Sequence, residues 1–311
     1  MAEDESLAAP LAALYAEARH RGALLDLGSR ATWRLSGTDR VRYLNGQVTN
    51  DIRRLRPDTT MQACVTTAKG RLCGMIFVSS APDFLRIDAE PDLRESLTAR
   101  LERYIIADDA VLEDVTGSEC RFHLIAAAAP ATPPEVAVRT AQRYGRPGFD
   151  FIAPVAERDG LLDALAAQSV LIPAPLAESL RIEAGIPRWG AELTEETLPP
   201  EAGLDVTAID YQKGCYIGQE VISRIKSVGH VNRQLAAFTA AVPLSGGMTL
   251  HPEADPEKNA GELTSAAWSF GLETWAALGY LKRGFAGATL IARTPAGATA
   301  SLQIREIPLI P

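Results

Sequence analysis

The stretch QACVTTAKGRLCGMIFVSSAPDFLRID, residues 62–88, decides the fold class. Two apolar, β-branched runs at 62–67 and 72–80 flank the turn-prone Ala68-Lys69-Gly70-Arg71, and Pro82-Asp83 turns the chain into a third run at 84–88. Pro91 then stands where a first helical residue belongs, and Leu93, Leu97, Leu101 and Tyr104 recur at helical spacing. A helix packed over antiparallel strands indicates α+β and not a doubly wound parallel sheet.

On the N-terminal side, an Ala/Leu-rich helix over 6–20 precedes short strands at 23–27 and 32–35. Thr38 or Asp39 caps a short helix that carries Val41 and Leu44 on one face and stops at Asn45-Gly46. Beyond the central stretch, strands are expected at 111–115, 122–127 and 149–153, a Pro/Ala-rich linker or exposed loop at 126–134, and a helix at 161–168. A second helix over 176–184 follows Pro173 and Pro175 and is closed by Gly185 and Pro187. Past Gly229, Gly-punctuated strands at 234–240, 261–265, 276–281, 289–292 and 300–305 suggest a small β-barrel or sandwich. The domain reading is an α+β region over 1–228 and a β-module over 229–311. No internal repeat stands out.

The chain has 311 residues, 47 % apolar and 23 % charged, which suits a globular protein with two or three domains. Its 31 Lys/Arg against 39 Asp/Glu give a net charge of −8, a poor match to a nucleic-acid backbone, so direct nucleic-acid binding is not expected. Cys64, Cys73, Cys120 and Cys215 form no CxxC pair and have no His-x₃-His companion, which argues against a metal site. The acidic opening Met-Ala-Glu-Asp-Glu-Ser fits neither a signal nor a transit peptide, and no apolar run approaches the ~20 residues of a membrane helix. A cytoplasmic protein with reduced thiols and no membrane partner is expected.

Three segments carry candidate chemistry. In KGCYIGQE, residues 213–220, two glycines bracket a thiol just before a helix expected over 219–226, and the helix N-terminus and Lys213 both favour thiolate at Cys215. The competing reading is that Cys215 is a small buried hydrophobe, as the other three cysteines are expected to be. In RIEAGIPRWG, residues 181–190, Leu176, Leu180 and Glu183 share one helix face, which puts a carboxylate on an apolar stripe. Such an acid needs a partner: an internal Arg such as Arg188, towards which the residues alone lean, or a ligand with two parallel N–H donors. In LNGQVTND, residues 44–51, a polar run after a helix stop presents amides and carboxylates either to a pocket or to solvent. Arg224, Lys226, Arg233 and His230 make a modest basic stretch that reads as a solvated face or as a place for an acidic tail. The histidines are scattered, with no Ser-His-Asp arrangement.

These three segments together resemble the YgfZ family, a branch of the GcvT-like folate-binding superfamily. KGCYIGQE matches that branch's K-G-C-Y/F-x-G-Q-E in full, RIEAG resembles the superfamily's R-[LI]-E-A-G, and YLNGQVTNDI at 43–52 resembles the branch's third element. The resemblance covers most of the chain. It implies an α+β, GcvT-like multidomain fold: two intertwined, partly ferredoxin-like regions, the second over roughly 50–115, around a central folate-sized opening, plus a C-terminal β-barrel. It implies tetrahydrofolate or a one-carbon derivative as the cofactor, with Glu183 on the pterin ring and Asn50, Asp51, Arg188, Trp189, Lys213 and Tyr216 as further binding residues. It also implies support of iron–sulfur enzymes, through client or assembly proteins and with an indirect effect on tRNA modification, in which Cys215 is the working thiol. Where the T-proteins of glycine cleavage carry paired Asp residues, this chain has Gly70-Arg71-Leu72-Cys73-Gly74-Met75, so the group that serves aminomethyl transfer is missing. A folate-dependent aminomethyltransferase or demethylase using Asp51, and a non-enzymatic partner-binding module, are the alternatives.

Overall fold

The hairpins at 62–88 belong to one of two five-stranded sheets in the computed structural model, which describes residues 2–310 and, among these, the side chains of 9–227 and 229–310. The acidic side chains of the opening six residues lie outside that description. The chain starts with α1 (Ala2–Arg21), β1 (Ala23–Asp26), β2 (Ala31–Ser36) and α2 (Arg40–Gln47). It continues through β3 (Thr60–Thr66), β4 (Leu72–Ser80), β5 (Phe84–Ala89), α3 (Arg94–Glu102) and β6 (Val111–Asp114). The sheet order β3-β4-β5-β2-β6 is antiparallel throughout. Leu93, Leu97 and Leu101 bring α3 down on Trp33, Leu35, Ile76 and Ile87 of the sheet, as their spacing predicts. Gly74 permits this approach: a Cβ there would lie 3.0 Å from Leu93 and 3.1 Å from Leu97.

The other sheet is less local. It combines β1 with β7 (Glu119–Ile125), β8 (Ala137–Ala141), β9 (Gly148–Pro154) and, after α4 (Arg158–Ala166), β10 (Val170–Leu171), in the order β10-β1-β7-β9-β8. Helix α4 covers one face through Leu161 and Leu165. Helices α1 and α5 (Ala174–Glu183) cover the other through Tyr15, Ala18 and Leu176. Between the two sheets lies an ionic cluster, not an apolar core. Arg143 chelates Asp150 (2.7–3.0 Å) and Asp88 (2.8–2.9 Å), Arg30 and Arg121 also reach Asp88, and His123 Nδ1 lies 2.9 Å from Asp150. Each charge there has an opposite partner, the condition under which burial of ions is tolerated.

Beyond α6 (Gln219–Val228), the strands β11 (Arg233–Ala240), β12 (Thr249–Pro252), β13 (Gly261–Ser269), β14 (Thr274–Lys282), β15 (Leu290–Arg293) and β16 (Thr299–Arg305) close a barrel in the order β11-β14-β13-β12-β15-β16. The architecture is the α+β body and C-terminal β-barrel expected from the sequence. Ile182 on α5 inserts among Leu235, Ala237, Leu278 and Tyr280, so the helix that carries Glu183 is clamped between sheet and barrel. Among the described residues, no helix is long and apolar enough to cross a membrane.

Candidate functional site

Glu183 closes α5, and the helical repeat buries it on the same side as Leu176. Its carboxylate is held by neutral donors. Oε1 accepts from Ser269 Oγ (2.7 Å) and the Gly271 N–H (3.1 Å); Ser179 Oγ stands 3.4 Å away and donates its proton to Trp268 O at 2.8 Å. Oε2 accepts from the Tyr15 hydroxyl on α1 (2.9 Å). The internal salt bridge to Arg188 is not what forms: Arg188 is half exposed and reaches Glu178 instead, at 3.6 Å. The buried arginine of this helix is Arg181, which pairs with Glu178 (2.7 Å) and Glu192 (2.9 Å).

Glu183 lines a cavity of about 400 Å³ with Ala18, Ile125, Leu180 and the rings of Tyr15 and Tyr144, while Arg19 and Arg146 stand on its wall. Size and a mostly apolar lining with few polar groups are those of a small-molecule site. With both lone pairs of Oε1 taken by Ser269 and the Gly271 N–H, a bidentate grip by the carboxylate alone is closed. Oε2 and the Tyr15 oxygen stand 2.9 Å apart; the Arg19 side chain also reaches the Tyr15 oxygen, whose second lone pair, with one on Oε2, accepts two N–H donors from one planar ring. Burial, with Glu183 second, pushes the Tyr15 hydroxyl up to about 12, so it keeps the proton that it donates. Tyr15 is a residue that sequence reasoning missed. It sits in a helix that was expected, yet its partner lies 168 residues away.

The other two motifs fold onto each other, away from these walls. Lys213 is buried, and its ammonium donates to the carbonyls of Asn45 (2.6 Å), Val48 (2.7 Å) and Asn50 (2.7 Å). The Ile217 N–H donates to Gly46 O (3.4 Å), and Thr66 Oγ1 donates to Ile217 O (2.5 Å). Asn50 donates to Gln62 O (2.8 Å), and buried Asp51 accepts from the Arg53 backbone and guanidinium at 2.7–3.1 Å. The Arg53 guanidinium holds Asp51 below the ordinary carboxylate range, and burial pushes Lys213 down to about 8 against the pull of Asp51. Tyr216 is buried with its ring 5.2 Å from the Lys213 ammonium. Trp189 packs between the sheet core and the cluster around Leu193. Lys213, Asn50, Asp51, Tyr216 and Trp189 thus make internal contacts, and none lines the Glu183 cavity.

What this packing displays is Cys215. The thiol is exposed, three residues before the Gly218 that precedes α6. Gly218 has φ +92°, and a Cβ there would stand 2.5 Å from Thr67 O, so only glycine closes this turn. The charge of Lys213 is taken up by the carbonyls of Asn45, Val48 and Asn50 and is not directed at the thiol. Cys215 is not on the walls of the Glu183 cavity either. Cys64 and Cys120 are buried as expected, and burial pushes Cys64 up to about 12. Cys73 is only half buried and lines a separate recess with Arg100, another feature hidden in a strand-like pattern. Among the described residues, no three His, Cys, Asp or Glu side chains converge as metal ligands.

Known proteins share sequence with most of this chain. A tRNA-modifying protein YgfZ of Sodalis glossinidius is 30 % identical over 228 residues, which is 68 % of this chain and 70 % of that protein. The chain belongs to the YgfZ family. Its counterpart of the same name in Yersinia pseudotuberculosis is 28 % identical over 242 residues, covering 72 % of this chain and 73 % of that one. No family model matches the chain. Among solved structures, the glycine cleavage system aminomethyltransferase T of Bartonella henselae superposes with a TM-score of 0.83 over 96 % of this chain and 89 % of that one. At 15 % identity, that likeness establishes the GcvT-like fold.

Proposed function

We propose that this protein is a cytoplasmic tetrahydrofolate-binding accessory factor that supports iron–sulfur enzymes, and through them tRNA modification, with Cys215 as its working thiol. The observation that carries the folate reading is the paired acceptor of Glu183 Oε2 and Tyr15 Oη inside an apolar cavity. A pteridine ring is flat, presents adjacent N–H donors and is linked to an anionic tail. The paired oxygens suit its donor edge, Tyr144 and Leu180 suit its faces, and Arg19 and Arg146 suit the tail. The relatives named tRNA-modifying protein and the aminomethyltransferase fold support the same ligand class.

Cys215 faces outward, so its chemistry is directed at a partner protein and not at the folate. Transfer of an aminomethyl group is disfavoured: among the described residues Glu183 is the only acid that lines the cavity, and Asp51 is tied to Arg53 elsewhere. The net charge of −8 agrees with an indirect effect on tRNA. The test combines tetrahydrofolate titration with complementation of cells lacking the protein, read as iron–sulfur-dependent tRNA nucleosides. Cys215→Ala is expected to fold and bind folate like the parent chain yet fail to complement, while Cys64→Ser, if folded, complements. Full complementation by Cys215→Ala refutes the thiol's role, and absence of folate binding by the parent chain refutes the cofactor.

A further inference from the structure

A second cavity, of about 620 Å³, adjoins the first and shares Ala127 and Pro147 with it. It differs in chemistry. It is lined by Thr59, Thr60, Gln62, Thr140 and Gln142, with Arg54 and Arg56 at its side, and none of its lining residues is acidic. On a chain with 39 acids and a net charge of −8, a trough of that size without a carboxylate is a local reversal of sign. Arg54 is partly neutralised by Asp210 (3.0 Å) and lies 3.7 Å from Asp51. Arg56 is exposed and has no carboxylate partner among the described residues.

The wall behind the trough adds no net negative charge. Phe77 lines it and carries the Arg143 guanidinium 4.1 Å from its ring, with Arg30 at 5.6 Å, both neutralised by the acids of the buried ionic cluster. Gly148 also lines it, and a Cβ there would lie 2.8 Å from His123 Nε2, a fully buried nitrogen without a hydrogen-bond partner among the described residues. An apolar slot with paired acceptors therefore opens beside a neutral-to-cationic trough rich in hydroxyls and amides.

We infer that the trough is a subsite for the poly-γ-glutamyl tail of the folate, so that the protein selects polyglutamylated folates over the monoglutamate. This rests on the folate reading of the Glu183 cavity. A γ-glutamyl chain adds one carboxylate per residue and displays amides between them. The hydroxyls of Thr59, Thr60 and Thr140 donate within the protein, to Arg56 O, Asp150 and Asp58 O, so their lone pairs and the glutamine carbonyls suit the N–H groups of the amide links, and Arg56, with what Arg54 retains, suits the carboxylates. Because Arg56 is solvated, the preference is modest and salt-sensitive.

Calorimetric titration of the full chain with tetrahydrofolate monoglutamate and pentaglutamate tests this. The pentaglutamate is expected to bind about three- to tenfold tighter at low salt, and the ratio should shrink towards one as ionic strength rises to roughly 0.5 M. Arg56→Gln should bring the ratio near one and Arg56→Glu below it, with monoglutamate affinity unchanged in both. Equal affinities in the parent chain, or a ratio that Arg56→Glu leaves untouched, overturn the subsite while the folate reading stands. If neither folate binds, the folate reading fails and takes the subsite with it.

Discussion

Removing the ammonium of Lys213 while keeping its stem, as in Lys213→Met, should loosen the frame that displays Cys215. Three carbonyls converge on that ammonium at 2.6–2.7 Å. Those of Asn45 and Asn50 belong to half-buried residues and can turn to water, whereas Val48 is fully buried and cannot. One buried acceptor left unpaired, plus two charge-assisted bonds exchanged for water, amounts to about 2–4 kcal/mol. Lys213→Arg should recover little of it, because a planar fork cannot direct donors to three carbonyls arranged around a point charge. Hydrogen exchange resolved by peptide reads the effect directly. A local loss of ~3 kcal/mol corresponds to roughly 100-fold faster exchange over 45–51 and 213–218, with the barrel unchanged. Exchange within about twofold of the parent chain across both loops would refute the idea that this lysine ties them together.

Other consequences follow from the same geometry. Gly218→Ala, which forces a Cβ to 2.5 Å from Thr67 O at φ +92°, should cost at least ~2 kcal/mol by urea unfolding, whereas Gly214→Ala, with open space around it, should be near neutral. Thiol alkylation followed by mass spectrometry should rank Cys215 fastest and Cys73 next, with Cys64 and Cys120 reacting only on unfolding. Burial pushes the His123 pKa below its ordinary 6.5, so the folded state keeps it neutral while the unfolded chain takes up a proton as pH falls through 6.5. Unfolding free energy should therefore decline below that pH by up to ~1.4 kcal/mol per unit, and His123→Asn should flatten the slope between pH 6.5 and 5.

Legibility followed the range of each interaction. The hairpins and α3 were readable because Leu93, Leu97 and Leu101, like the runs flanking Lys69-Gly70, encode their faces within a few residues. Strand β8 was lost because Ala137–Ala141 follows a Pro/Ala-rich loop and has β9 as its one strand partner, beside a single bridge of Thr140 to Thr59, and β12 because it is short, carries His251 and ends in Pro252. The parallel pairing of β1 with β10 joins segments nearly 150 residues apart and leaves no local trace. At the site, burial of Glu183 was visible from helix periodicity, but its partners were not: Tyr15, Ser269 and Gly271 come from α1 and the barrel. Both Cys215 and Lys213 were singled out from one octapeptide. That one faces solvent and the other three backbone carbonyls is decided by the 45–51 loop, which the sequence reading treated separately.

The central claim is that Glu183 and Tyr15 jointly hold the donor edge of a folate, and tetrahydrofolate titration of the parent chain beside Glu183→Gln and Tyr15→Phe tests it most directly. Binding by the parent chain, at least ~10-fold weakened in Glu183→Gln and weakened less in Tyr15→Phe, is the predicted result, since each variant removes one acceptor from the pair. Tetrahydrofolate that binds both variants as tightly as the parent chain would place the pteridine elsewhere and contradict the account.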